Sequence, residues 1–103
     1  VAISTVTLDR EMTIPDCSVR NLEGKVVIIT GPGCAGCPRT ITQMETIEKD
    51  LGKTFVFLDT AEDASAISDM GIATEFLPVI LFDCEAYLGE KSDLFLKTQA
   101  EAV

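Results

Sequence analysis

The chain has 103 residues, 47% of them hydrophobic and 24% charged, and carries 17 acids against 8 bases for a formal charge of −9, with no histidine. That length makes one domain, residues 1–103, able to bury roughly 65% of its unfolded surface in a single core. The acidic balance argues against nucleic acid and anionic membrane as partners, because both need clustered Lys and Arg. The missing histidine removes Ser-His and Cys-His pairs and any His-ligated metal.

No apolar run approaches the ~20 residues that cross a bilayer. Nothing at the start has the charged-then-apolar form of an export signal, so the expectation is a cytoplasmic monomer, with an exported mature form as the alternative. Ile3 to Leu8 alternates apolar and polar residues, which suits a strand near the sheet edge. From Asp9 to Glu23 the signal weakens. Pro15 breaks any long helix, leaving an irregular or short helical connection that carries Cys17 and closes in a turn at Glu23-Gly24-Lys25.

Val26-Val27-Ile28-Ile29 reads as a strand buried on both faces, since a half-exposed strand would alternate with polar residues. Gly31-Pro32-Gly33 ends it and delivers Cys34 and Cys37 to the start of a helix. On that helix Ile41, Met44, Ile47, Glu48 and Leu51 share a face, Glu48 being the one polar member, and Gly52 supplies the stop. The first turn of a helix presents unpaired N–H groups that favour negative charge, so Cys34 should ionise more readily than a free cysteine. Cys-x-x-Cys thiols have pKa values of roughly 3.5 to 7.5, against about 8.5 for a free thiol. Cys37, one helical turn on and shielded by Thr40 and Ile41, can attack a disulfide formed at Cys34. Pro38 is tolerated there because the N–H it lacks would be unpaired anyway.

Thr54 to Leu58 reads as another buried strand. Thr60 and Asp63 have capping-box spacing, with Asp in place of Glu, before a short helix running to about Met70 and ended by Gly71. Leu77-Pro78 leads into a third buried strand, Val79 to Phe82. Asp83-Cys84-Glu85 reads as a hairpin turn into Ala86-Tyr87-Leu88, and Glu90 to Val103 as a closing helix. The order is β, connection, β, α, β, α, β, β, α. Helical crossovers imply parallel pairing and the short turn implies an antiparallel hairpin, which gives an α/β domain with a mixed sheet sandwiched by helices. Cys17 and Cys84, isolated in sequence, are expected to be buried apolar fillers or surface thiols. A disulfide between them stays open, and needs Cα atoms within about 7 Å.

With Gly33-Cys34-Ala35-Gly36-Cys37-Pro38-Arg39 between strand and helix, Met70-Gly71-Ile72 followed by Phe76-Leu77-Pro78-Val79, and a closing hairpin and helix, the chain resembles the thioredoxin superfamily over most of its length. The resemblance implies a thioredoxin-like fold and a dithiol-disulfide oxidoreductase. Cys34 would be the nucleophile and Cys37 the resolving thiol, with no cofactor beyond their redox-active disulfide and no metal. It makes Pro78 the cis-proline and Leu77 the residue whose backbone pairs with an extended substrate, with Gly33 beside them. Arg39 is a candidate for holding charge at the site, against a plain solvated role. The implied partners are disulfide-containing proteins and an external reductase or dithiol reductant.

The sequence departs from thioredoxins in having Gly33 where Trp usually precedes the first cysteine, Ala35-Gly36 between the cysteines, and Ile28 in place of the buried acid. The branch within the superfamily and the direction of electron flow stay open. Two other classes stand beside the enzyme. One is a four-thiolate zinc module built from Cys17, Cys34, Cys37 and Cys84. The other is a thioredoxin-fold scaffold with weakened catalysis, suggested by the missing acid and Trp.

Overall fold

A computed structural model describes residues 4–103. In chain order the elements are β1 (Val6–Leu8), β2 (Met12–Thr13), β3 (Val26–Thr30), α1 (Cys37–Leu51), β4 (Val56–Asp59), α2 (Ala64–Asp69), β5 (Ile72–Thr74), β6 (Val79–Phe82), β7 (Glu85–Leu88) and α3 (Asp93–Ala102). The domain is α/β, with a mixed five-stranded sheet in the order β2-β7-β6-β3-β4. β3 runs parallel to β4 and antiparallel to β6, and the hairpin β6–β7 is antiparallel.

β3 is buried at all five positions, as its run of branched residues requires. Successive side chains of a strand point to opposite faces, and β3 accordingly feeds two cores. Val26 and Ile28 join Ile80, Phe82, Met44, Ile47, Leu96 and Ala100 under α1 and α3. Val27 and Ile29 join Val79, Leu81 and Ala86 with Leu8, Ile67 and Ile72, so α2 and the β1–β5 strands cover the other face. On α1, Glu48 sits on the inward side because its Oε2 accepts a hydrogen bond from the Phe55 N–H at 2.6 Å. Gly52, at φ 64°, closes the helix with the paired N–H bonds of a left-handed cap.

Several elements differ from the sequence expectation. β1 pairs in parallel with β5 as a separate two-stranded sheet rather than at the edge of the main one; Ile3, expected in this strand, lies outside the described residues. β2 and β5 have only two and three residues, too few for a period to register in the sequence. β4 begins at Val56 and is half-buried throughout, because it closes one edge of the sheet. The capping box also gives way to different local bonding. The Asp59 Oδ1 accepts from the N–H groups of Ala61 and Glu62, and the Asp63 Oδ2 accepts from Asp59 N–H, so the acids organise the turn and Thr60 does not cap α2. α3 starts at Asp93, later than expected, where the Ser92 hydroxyl accepts from Phe95 N–H.

The connection from Thr13 to Lys25 is fastened at two points. Arg20, only 2% exposed, donates through its guanidinium to the backbone carbonyls of Pro15, Met70, Gly71 and Ser4. Cys17 is disulfide-bonded to Cys84, with Cα atoms 5.6 Å apart across a separation of 67 residues. This corrects the expectation of unpaired fillers or surface thiols. The connection docks on the β6–β7 turn through Ile14 N–H to the Cys84 carbonyl, and Gly24 N–H reaches the Asp83 carboxylate at 2.6 Å, which brings the two cysteines together.

No helix among the described residues is long and apolar enough to cross a membrane. Because a cross-link over so long a loop mainly restrains the unfolded chain, Cys17→Ala/Cys84→Ala is expected to lose roughly 2–4 kcal/mol in urea unfolding while keeping the native circular dichroism spectrum.

Candidate functional site

The site lies at the C-terminal ends of β3 and β4, where the sheet hands the chain to α1. Two glycines set its geometry. Gly31 leaves β3 so close to its neighbours that a Cβ there would fall on the Thr60 hydroxyl and 2.9 Å from Leu77 Cδ1. Gly33, at φ 80°, turns the chain through a conformation that side-chain-bearing residues rarely adopt. Cys34 follows in the turn, and α1 begins at Cys37 itself with Gly36 as its N-cap. The helix therefore starts at the second cysteine, one turn later than Cys34. Its first turn holds Pro38 and no acidic residue, and no side chain hydrogen-bonds its N–H groups; the Glu90 carboxylate lies close over Gly36.

Cys34 and Cys37 are disulfide-bonded, with Cα atoms 5.5 Å apart. Their burial is unequal. Cys37 is 4% exposed, beneath fully buried Thr40 and half-buried Ile41, while Cys34 is partly open to solvent.

Cys34 faces two adjoining clefts. The larger, about 440 Å³, is walled by Thr30, Pro38, Ile41, Asp59 and Glu62 and also exposes an edge of Cys37. The smaller, about 250 Å³, is formed by Pro32, Gly33, Glu75, Phe76 and Leu77. The Leu77–Pro78 bond is cis, as the resemblance implied. Leu77, not the buried Pro78, is the residue that shares a cleft with Cys34. Of the candidates read from sequence, Cys34, Cys37, Gly33 and Leu77 are thus brought together.

Arg39 is elsewhere. It is exposed, lies 3.8 Å from Glu90, and borders a groove between α1 and α3 rather than either cleft. Ile28, at the position where an acid was looked for, is fully buried under α1.

Sequence reasoning missed Thr30, Asp59, Glu62, Glu75 and Phe76 as parts of the site. One signal was available for two of them: Thr30 and Asp59 end two adjacent parallel strands and are register partners, and the C-terminal ends of such strands are where α/β sheets place their sites. Nor do the four cysteines form one centre. Among the described residues, the cluster of potential metal ligands is Cys17, Asp83 and Cys84, whose ligand atoms lie within 4.8 Å of one another; Cys34 and Cys37 are not in it. A single four-thiolate zinc site has no support in this arrangement.

No protein-family model matches the chain, and no curated protein matches it.

After mild reduction, the difference in burial should appear as a difference in reactivity. Iodoacetamide is expected to label Cys34 at least about tenfold faster than Cys37, read by peptide mass spectrometry over a time course. Equal labelling would remove the distinction between an accessible and a shielded thiol.

Proposed function

We propose that the protein is a thioredoxin-like dithiol-disulfide oxidoreductase. The observation that carries this is the unequally buried Cys34–Cys37 pair at the start of α1, with the open member beside Leu77. The sheet order, with β3 between a parallel and an antiparallel neighbour and helices on both faces, supports the same superfamily.

The chemistry is two successive exchanges. Cys34 thiolate attacks one sulfur of the substrate disulfide; that bond breaks, the departing sulfur leaves as a thiolate and takes a proton, and a mixed disulfide forms at Cys34. Cys37, deprotonated, then attacks the Cys34 sulfur and releases the second substrate thiol. The substrate gains two electrons, the protein is left with the Cys34–Cys37 disulfide, and an external dithiol restores it. The N–H groups at the start of α1 favour the thiolate forms through which both steps pass.

Proton transfer at Cys37 is served by the larger cleft, which opens onto it and admits water; Ile28 provides no carboxylate from the core side. The Cys17–Cys84 bond lies in a different part of the molecule and favours an oxidising compartment over the cytoplasm expected from the sequence, since persistent structural disulfides are rare in reducing cytosol.

In Cys37→Ser the second exchange has no nucleophile, so incubation with a disulfide-linked protein is expected to accumulate a covalent adduct through Cys34, detected by mass spectrometry. Cys34→Ser should form no comparable adduct. Steady turnover by the parent protein with excess dithiol, falling in both variants to the rate of the dithiol alone, separates an oxidoreductase from a scaffold that has kept the fold.

A further inference from the structure

The charged residues that wall the two clefts are all acids. Asp59 and Glu62 stand in the larger cleft and Glu75 in the smaller, with no Lys or Arg in either lining. Glu90 closes a third side. It lies over the turn between the cysteines, close enough that a Cβ on Gly36 would meet its Cδ at 2.8 Å. Among the described residues, only this last carboxylate has a cation within ion-pair distance, Arg39 at 3.8 Å. The carboxylates differ in freedom: Asp59 holds the N–H groups of Ala61 and Glu62, whereas Glu62 and Glu75 are exposed. Beside Glu75, Phe76 is 55% exposed, one of the few large apolar side chains left in solvent among the described residues.

Building on the oxidoreductase reading, we infer that this rim selects its substrate by charge: the partner is a polypeptide whose disulfide is flanked by Lys or Arg, with an apolar side chain seated against Phe76. Both halves of a disulfide must pass within a few ångströms of Cys34 for in-line attack. Substituents on either side of the reacting sulfurs therefore enter the clefts that hold Glu62 and Glu75. A cationic substituent meets opposite charge on both sides, and an anionic one meets like charge. The whole-chain charge of −9 acts in the same sense at longer range and steers encounter. Anionic small disulfides such as oxidised glutathione are poor substrates on this account. Exposed charges are screened beyond about 8–10 Å at physiological salt, so the selectivity belongs to groups lining the clefts and weakens as salt rises.

The test uses the reduced Cys37→Ser protein and three disulfides of similar size: cystamine (dicationic), bis(2-hydroxyethyl) disulfide (neutral) and 3,3′-dithiodipropionate (dianionic). Adduct formation at Cys34 is timed by mass spectrometry, and each rate is divided by that of 2-mercaptoethanol with the same disulfide, which removes differences in leaving group. The expected normalised order is cationic, neutral, anionic. The two ends should differ by about tenfold or more at 20 mM ionic strength and by less than about threefold at 0.5 M.

Glu62→Gln/Glu75→Gln in the same background should bring the low-salt ratio towards one. Normalised rates within about twofold of one another at low salt, or a cationic preference that survives the double substitution unchanged, would overturn charge selection by this rim while leaving the oxidoreductase reading in place. Failure of the neutral disulfide to form any Cys34 adduct would remove both.

Discussion

The whole arrangement depends on β3 being buried on both faces. A strand in that position has no solvent side, so each of its residues commits an apolar side chain to one of two cores. Alternate residues anchor α1 with α3 and α2 with the β1–β5 strands. A slip of one residue would exchange the side chains of the two cores, so the fit of each side chain into its own core holds the strand in place. The strand's end is fixed as well, and the turn carrying Cys34 starts from a point that the core positions from both sides.

That fixed point explains why so small a structure can hold its two neighbouring cysteines in different surroundings. Gly31 brings the end of β3 against Thr60 and Leu77, so the turn carrying Cys34, the start of α2's approach and the segment leading to β6 meet within contact distance. Cys34 is left open at this junction while Cys37, by entering α1, is drawn under the helix's own first turn. The difference between the two sulfurs follows from where the helix begins, and needs no special side chain at either position.

The parts of this architecture that were legible in the sequence are those with long-range redundancy. The β3 run, the β6 strand, the amphipathic face of α1 and the order of crossovers each involve several residues repeating one message. What escaped depends on pairings between distant segments. β1 alternates as an edge strand should, yet its partner is β5, a three-residue piece with no period to read. Cys17 and Cys84 looked isolated because the contact that joins them is made by Ile14 and Gly24 docking on the Asp83 turn. At the site, the cysteines were read from spacing and Leu77-Pro78 from its likeness to a known pattern. The acids around them could not be, since Glu62 and Glu75 come from two loops that share only their proximity to Cys34. Arg39, adjacent to the motif in sequence, borders the groove between α1 and α3 and reaches the turn between the cysteines only through its ion pair with Glu90.

The Arg20 clamp has a consequence for behaviour in acid. Ion pairs that include a carboxylate, such as Lys91 with Glu11, lose their attraction once the acid is protonated. Arg20 instead spends its donors on main-chain carbonyls, acceptors that gain no proton as the pH falls through the carboxylate range. The attachment of the N-terminal connection to the end of α2 thus involves no carboxylate. In a chain so rich in carboxylates, this is the one buried charged side chain among the described residues and none of its bonds uses an acid, so the side of the molecule it ties down has an anchor that protonating the acids does not loosen.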